Sequence, residues 1–439
     1  MRILHFSTED TGGGAGKATH RLHSALRDAG HPSRMIVRYK QSDDGDVRQA
    51  RSWFTSGWPS KLNILKMGIR FFFKGMPHTV YFFNFDRELD LDTQLFFEFE
   101  PGDVDIIHLH WITHLLTVKT IRKLYEHYRC PVLWTLTDLG PITGGCHYPF
   151  DCEGFKKQCG HCPQLHSDRF ADPSQVVWNR KFRSLRNLPI TFIAPTSWVA
   201  TRIKESSLFG DHRIEEIPLS IDTTVFRPFE QRSARDLLHV PQNKKVIFWG
   251  SARLDDPRKG MMHLQEALQR LASMVEDKGC GLTKDDLFLL TAGRGGGGLL
   301  DSLPFSGKSM EYLRDDVTLA LAYQAADVFV CPSTEDAGPM MIPESMLCGT
   351  PVVAFNCGGA PDLIQTMKTG YLANYKDSND LASGIHALIS SPHLAAVRNA
   401  ARDIAVKNHS PQIVVSQYIE LYHSLTEESH KKESVKPCF

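Results

Sequence analysis

Twice along this chain an apolar run gives way to a turn and then to helical spacing, and that repetition leaves few architectures open. Arg2–Ser7 is a short apolar run, Gly12–Gly16 a glycine-rich turn, and Ala18, Leu22, Ala25, Leu26 and Ala29 recur at helical spacing, which reads as strand, turn and helix. Further strands read at Met35–Tyr39, Val104–His110, Pro131–Thr137 and Ile190–Ala194. Strands alternating with helices predict a parallel sheet covered by helices. A turn-rich stretch from Ile214 to Pro228 ends the unit, and a new strand opens at Lys245–Trp249. The pattern then repeats: helix Met262–Leu271, strands Leu287–Thr291 and Ala325–Cys331, helix Met340–Leu347, strand Pro351–Phe355. The expected fold is α/β, two doubly wound domains facing a cleft, residues 1–217 and 218–410. Helical spacing over 411–426 predicts a last helix returning toward the first domain, and the polar stretch 427–439 is expected to be disordered.

Fifty Lys and Arg balance fifty Asp and Glu, so no bulk attraction to nucleic acid operates and none is expected as a partner. The N-terminus reaches Glu9 and Asp10 too early for a secretory signal, and no apolar run is long enough to span a membrane. A cytoplasmic protein is expected. In residues 61–76, Lys66, Arg70 and Lys74 recur every four positions opposite Leu62, Leu65, Ile69, Phe72, Phe73 and Met76. That pattern fits a helix lying on a membrane surface, which would make the protein peripheral, or a core helix with solvated basic residues.

Several local patterns carry chemistry. A glycine turn opening a helix offers unpaired N–H groups to an anion, so Gly13 and Gly14 are candidate phosphate contacts, or a tight turn for packing. The nucleoside-triphosphate loop is excluded, because Thr11 stands where its first glycine belongs and Ala18 where its hydroxyl belongs. Asp336 is followed by seven residues and then Glu344, on a loop leaving a strand and in the next helix, where two carboxylates can line a crevice at the strand C-termini. Cys146, Cys152, Cys159 and Cys162 cluster in loop 146–162, with His147, His161 and His166 nearby. Structural zinc, free thiols and a local disulfide all fit that spacing. Cys-Gly-His-Cys as a redox motif is set aside, since no helix starts at its first cysteine.

The stretch Pro332–Phe355, with Asp105–Trp111, Trp134–Tyr148 and Ile221–Phe226, resembles glycosyltransferase family 4, and within it the bacterial exopolysaccharide enzymes of the colanic-acid type. The resemblance covers nearly the whole chain and implies the GT-B fold of two Rossmann-like domains. It implies a retaining transfer of a sugar from a nucleotide-sugar donor to a saccharide or lipid-linked saccharide acceptor, in envelope or exopolysaccharide assembly. By the same resemblance Glu344 holds ribose hydroxyls and Asp336, with Glu335 as competitor, contacts the hexose. Lys259 with Arg253, or with the local rival Arg258, neutralises the departing diphosphate, and no catalytic metal is expected. The expected donor-binding set is Gly13, Gly14, Arg253, Lys259, Met340, Met341 and Glu344. The expected catalytic set is Asp336, Glu335, Lys259 and His147. The family commonly has His where this chain has Thr137; His147 and His110 are candidates to take over that contact, and His110 and Asp138 are acceptor-side candidates. The rival readings are a GT-B epimerase, for which no acid and base pair stands out, and a non-catalytic nucleotide-sugar-binding or scaffold protein.

Overall fold

The computed structural model describes residues 1–50, 93–277, 281–295 and 298–434. The segment 61–76 lies outside them. The chain divides into two compact units: Met1–Ile217 with the residues from Val415 on, and Pro218–Val414.

Seven strands make the sheet of the first unit: β1 (Ile3–Glu9), β2 (Ser33–Tyr39), β3 (Val47–Gln49), β4 (Ile106–Leu109), β5 (Val132–Thr135), β6 (Ile190–Ala194) and β7 (Ile214–Glu216). Their order is β3-β2-β1-β4-β5-β6-β7, and every pairing is parallel. Beside it stand helices α1 (Gly13–Asp28), α2 (Val118–Tyr128), α3 (Pro173–Leu185) and α4 (Ser197–Glu205). Asp172 starts α3 by accepting the N–H groups of Ser174 and Gln175, with Pro173 in the first turn, where a missing N–H costs nothing.

The second unit carries β8 (Lys245–Arg253), β9 (Leu287–Arg294), β10 (Ser306–Met310), β11 (Val328–Cys331), β12 (Val352–Phe355) and β13 (Gly370–Ala373). The order is β10-β9-β8-β11-β12-β13, again parallel throughout. Its helices are α5 (Gln231–Leu238), α6 (Met261–Asp277), α7 (Asp316–Ala325), α8 (Met341–Leu347), α9 (Ala360–Leu363), α10 (Ser378–Ile389) and α11 (Leu394–His409). Side chains of a strand alternate between faces, and β8 shows it: Val246 and Phe248 enter one core cluster, Ile247 and Trp249 the other. A sheet buried on both faces needs near-continuous apolar strands.

Sequence and structure part company in three places. The strand expected from Ala325 begins only at Val328, because α7 continues to Ala325. The short strands β3, β7, β10 and β13 were not legible; β10, Ser-Gly-Lys-Ser-Met, is an edge strand with no fully buried residue. The expected disorder over 427–439 is corrected, since α12 runs from Pro411 to Ser434. Glu427 and Glu428 each precede a lysine by four residues, a spacing that supports an exposed helix; residues 435–439 lie outside the described set. Among the described residues no helix is long and apolar enough to cross a membrane.

Both strand orders reverse direction once, between β1 and β4 and between β8 and β11. At such a switch point the loops leaving the two central strands diverge and leave a crevice at their C-terminal ends.

Candidate functional site

In the second unit the switch point brings together the loop after β8 and the loop after β11. The first loop closes with a single helical turn, Pro257–Lys259, which Asp256 caps by accepting the Arg258 N–H. Gly260 follows at φ 73°, and a Cβ there would stand 1.9 Å from the carbonyl oxygen of Pro332, so only glycine lets this turn rest against the second loop. Lys259 Nζ then reaches Asp336 Oδ2 at 2.5 Å. Arg258 donates to the Glu335 carbonyl at 3.0 Å and stands 3.5 Å from Asp336 Oδ2. Asp336 is 7% exposed. Burial opposes its charge, but Lys259 and Arg258 outweigh that and hold its carboxyl below the ordinary carboxylate range.

Glu344 lies in α8 and is 3% exposed, with the Tyr323 hydroxyl donating to its Oε2 at 3.3 Å. Burial, and next the Glu344 charge, raise the Tyr323 phenol well above its usual value, so it stays a donor. Met340 precedes α8 and Met341 opens it, and Met341 packs on the core cluster. Glu335 is buried beside Asp336. Arg253 is paired with Asp255, its side chain 64% exposed, whereas its rival Arg258 joins Lys259 at Asp336. The Asp256 cap turns the chain so that the later arginine faces the carboxylate.

In the first unit His147 Nδ1 meets Asp138 Oδ2, and the other Asp138 oxygen accepts the Gly140 N–H at 2.8 Å. An aspartate so held fixes the orientation of the imidazole through Nδ1. Trp111 lies beside the imidazole, ring centroids 6.2 Å apart and planes tilted by 55°. His110 is not presented as an acceptor-side group; it is buried, its Nε2 2.9 Å from His5 Nδ1, and burial lowers its pKa to about 3. His108 completes this trio and bonds Tyr422 and Thr135 at 2.8 Å each. Part of the signal was available: His108 lies on β4 and His110 one residue past its end, with ring centroids 4.1 Å apart, and His5 pairs with His108 across β1 and β4. Gly13 takes φ 59° and Gly14 lies in the first turn of α1. Beside that turn sits the Glu9 carboxyl, 2.2 Å from where a Cβ on Gly12 would be. Burial, and then Asp10, raise the Glu9 pKa. The phosphate contact expected of Gly13 and Gly14 therefore faces a carboxyl group.

Residues 243–391 match the family described as glycosyl transferases group 1. The matched stretch lies wholly within the second unit. The chain is 31% identical over 210 residues to phosphatidyl-myo-inositol mannosyltransferase of Mycobacterium leprae, covering 45% of this chain and 52% of that protein. It is 27% identical over 201 residues to N,N'-diacetylbacillosaminyl-diphospho-undecaprenol alpha-1,3-N-acetylgalactosaminyltransferase of Campylobacter jejuni, covering 42% and 50%. The chain thus spans about half the length of these two relatives. Among solved structures, Anabaena HepE in complex with UDP-glucose superposes with a TM-score of 0.65 at 19% identity, over 97% of this chain and all of that one. Sucrose-phosphate synthase of Thermosynechococcus elongatus gives 0.65 at 18%, over 98% and 100%. The shared fold is α/β with two Rossmann-like domains, that of GT-B glycosyltransferases.

Proposed function

We propose that this chain transfers a hexose from a nucleoside-diphosphate sugar to a hydroxyl of a lipid-linked saccharide, with retention at the anomeric carbon. The observation that carries the reading is the convergence of Lys259 and Arg258 on Asp336 at the switch point of the second unit, within the stretch that matches the family. Two cations fixed on a loop between strand ends suit a diphosphate whose charge grows as the glycosidic bond breaks. Asp336, ionised, holds both cations in place until the diphosphate takes them over. Its carboxylate is then available to accept hydrogen bonds from the hexose. Glu344, buried with Tyr323 behind it, accepts from the ribose hydroxyls. Because the cations neutralise the leaving group, the reading requires no catalytic metal.

The acceptor class draws on the two relatives, whose names specify phosphatidyl-myo-inositol and a diphospho-undecaprenol-linked sugar. A lipid-linked acceptor places the reaction at the inner face of the plasma membrane, in envelope or exopolysaccharide assembly. His147, oriented by Asp138, is the acceptor-side group in this reading.

The test is a thermal-shift screen of nucleotide sugars followed by turnover with membrane-lipid extracts. One donor should raise stability and be consumed only when acceptor is present, with product of unchanged anomeric configuration by NMR. No binding by any nucleotide sugar, or binding and turnover untouched by both Lys259→Ala and Glu344→Ala, overturns the proposal. An inverted product overturns retention alone.

A further inference from the structure

We infer that Cys146, Cys152, Cys159 and Cys162 together hold one structural zinc ion, which fixes the loop carrying Asp138 and His147. All four are free thiols on the connection between β5 and α3. Two of them meet at Gly154, where a Cβ would stand 3.4 Å from Cys152 Sγ and 3.9 Å from Cys159 Sγ, and Cys146 lies within electrostatic reach of the other three. A side chain larger than hydrogen at Gly154 would enter the space beside these two sulfurs.

The Gly154 N–H donates to Cys152 Sγ at 3.4 Å, and a donor of that kind orients a sulfur as outer groups around a metal site do.

The Cys-Gly-His-Cys turn is built rigidly. Cys159, Gly160 and His161 take φ of 54°, 90° and 47° in succession, reversing the chain between the two cysteines. Asp172, the residue that caps α3, accepts the Cys162 N–H at 2.8 Å, and Ser174 accepts the Gly160 N–H at 2.9 Å. The turn is thereby tied to the start of a helix.

Among the described residues, His5, His108 and His110 are the set whose ligand atoms all lie within 4.8 Å of one another. Four of their six nitrogens are bonded to one another, Tyr422 or Thr135, and His5 Nε2 is buried without a hydrogen-bond partner. The thiols are spaced more loosely than that; a zinc–sulfur distance of about 2.3 Å would draw them to about 3.8 Å from each other. Four soft ligands in a tetrahedral set select zinc over harder ions.

Metal analysis of untagged, freshly purified, reduced protein should find about one zinc per chain. A mercurial thiol reagent should release it in step with thiol modification. The cobalt-substituted wild-type chain should show a sulfur-to-cobalt charge-transfer band, a readout that needs no variant to fold. Cys159→Ser and Cys162→Ser should each lose most of the metal, and as His147 follows Cys146 directly, should loosen the loop around it in hydrogen exchange. Absence of metal, a disulfide between two of the four, iron in place of zinc, or a cobalt spectrum without the sulfur band each overturns the proposal. None of these measurements depends on transferase activity, so the two proposals fail separately.

Discussion

At the scale of single residues, the second unit separates two arginines that the sequence does not. Arg258, side chain 11% exposed, faces Asp336, and Arg253, 64% exposed, faces Asp255. If Lys259 and Arg258 take up the leaving diphosphate, their removal weakens the transition state more than the ground state. Lys259→Ala should lower kcat about 10²–10³-fold with a smaller change in KM, the range seen on deleting one preorganised electrostatic group. Glu344→Ala should act mainly on donor affinity, weakening it by about 1.5–3 kcal/mol, the worth of hydrogen bonds to a charged group. Arg253→Ala should leave both constants unchanged within error. Steady-state kinetics on the three variants decides the matter, and a larger loss at Arg253 than at Lys259 would reverse the assignment.

At the scale of elements, the site depends on two loops held in register, and Gly260 is where they meet. Gly260→Ala puts a Cβ 1.9 Å from the Pro332 carbonyl at φ 73°. Gly30 offers a control: it has φ 84° with nothing within 4 Å of its would-be Cβ. Gly30→Ala should cost about 1–2 kcal/mol in urea unfolding, the price of left-handed backbone alone; Gly260→Ala should cost more and also depress kcat, because Lys259 moves with the turn. Equal costs at the two positions would show that the loops do not lean on each other. Elements such as Ile190–Ala194 were readable because a strand buried on both faces must be apolar throughout, and the observed β6 has those bounds. Edge strands such as β10 escaped because one side meets solvent and the composition turns polar. The spacing of Asp336 and Glu344 was legible for a similar reason: a strand end, a loop and a helix start follow one another locally. Which arginine joins Lys259 was not, since it depends on how Asp256 caps one short turn. The histidine trio was half legible, as the i, i+2 pair is local while its meeting with His5 requires knowing that β1 and β4 are neighbours.

At the scale of the whole chain, the first unit is completed by residues that come last in sequence. Tyr418 and Tyr422 of α12 are buried, and the Tyr422 hydroxyl bonds His108 across a separation of 314 residues. Ending the chain at Ser410 should therefore destabilise the first unit severely, whereas Tyr422→Phe removes only one hydrogen bond, about 1 kcal/mol; thermal unfolding of both compares them. The same contact makes stability depend on pH. Burial lowers the pKa of His110 to about 3 and holds His5 and His108 well below their usual value. In the unfolded chain each titrates near about 6.5. As pH falls below that value the unfolded state takes up protons that the folded state refuses, so the stabilisation present above about 6.5 drains away between there and the folded pKa. Each histidine contributes a slope of about 1.4 kcal/mol per pH unit in that window. The unfolding free energy should fall steeply from about pH 7 to about pH 5, and His110→Gln, which keeps a neutral polar side chain, should reduce the slope by about one histidine's share. An unchanged slope in that variant would mean that the trio keeps its protons on folding and that its burial is not what sets the acid limit of this protein.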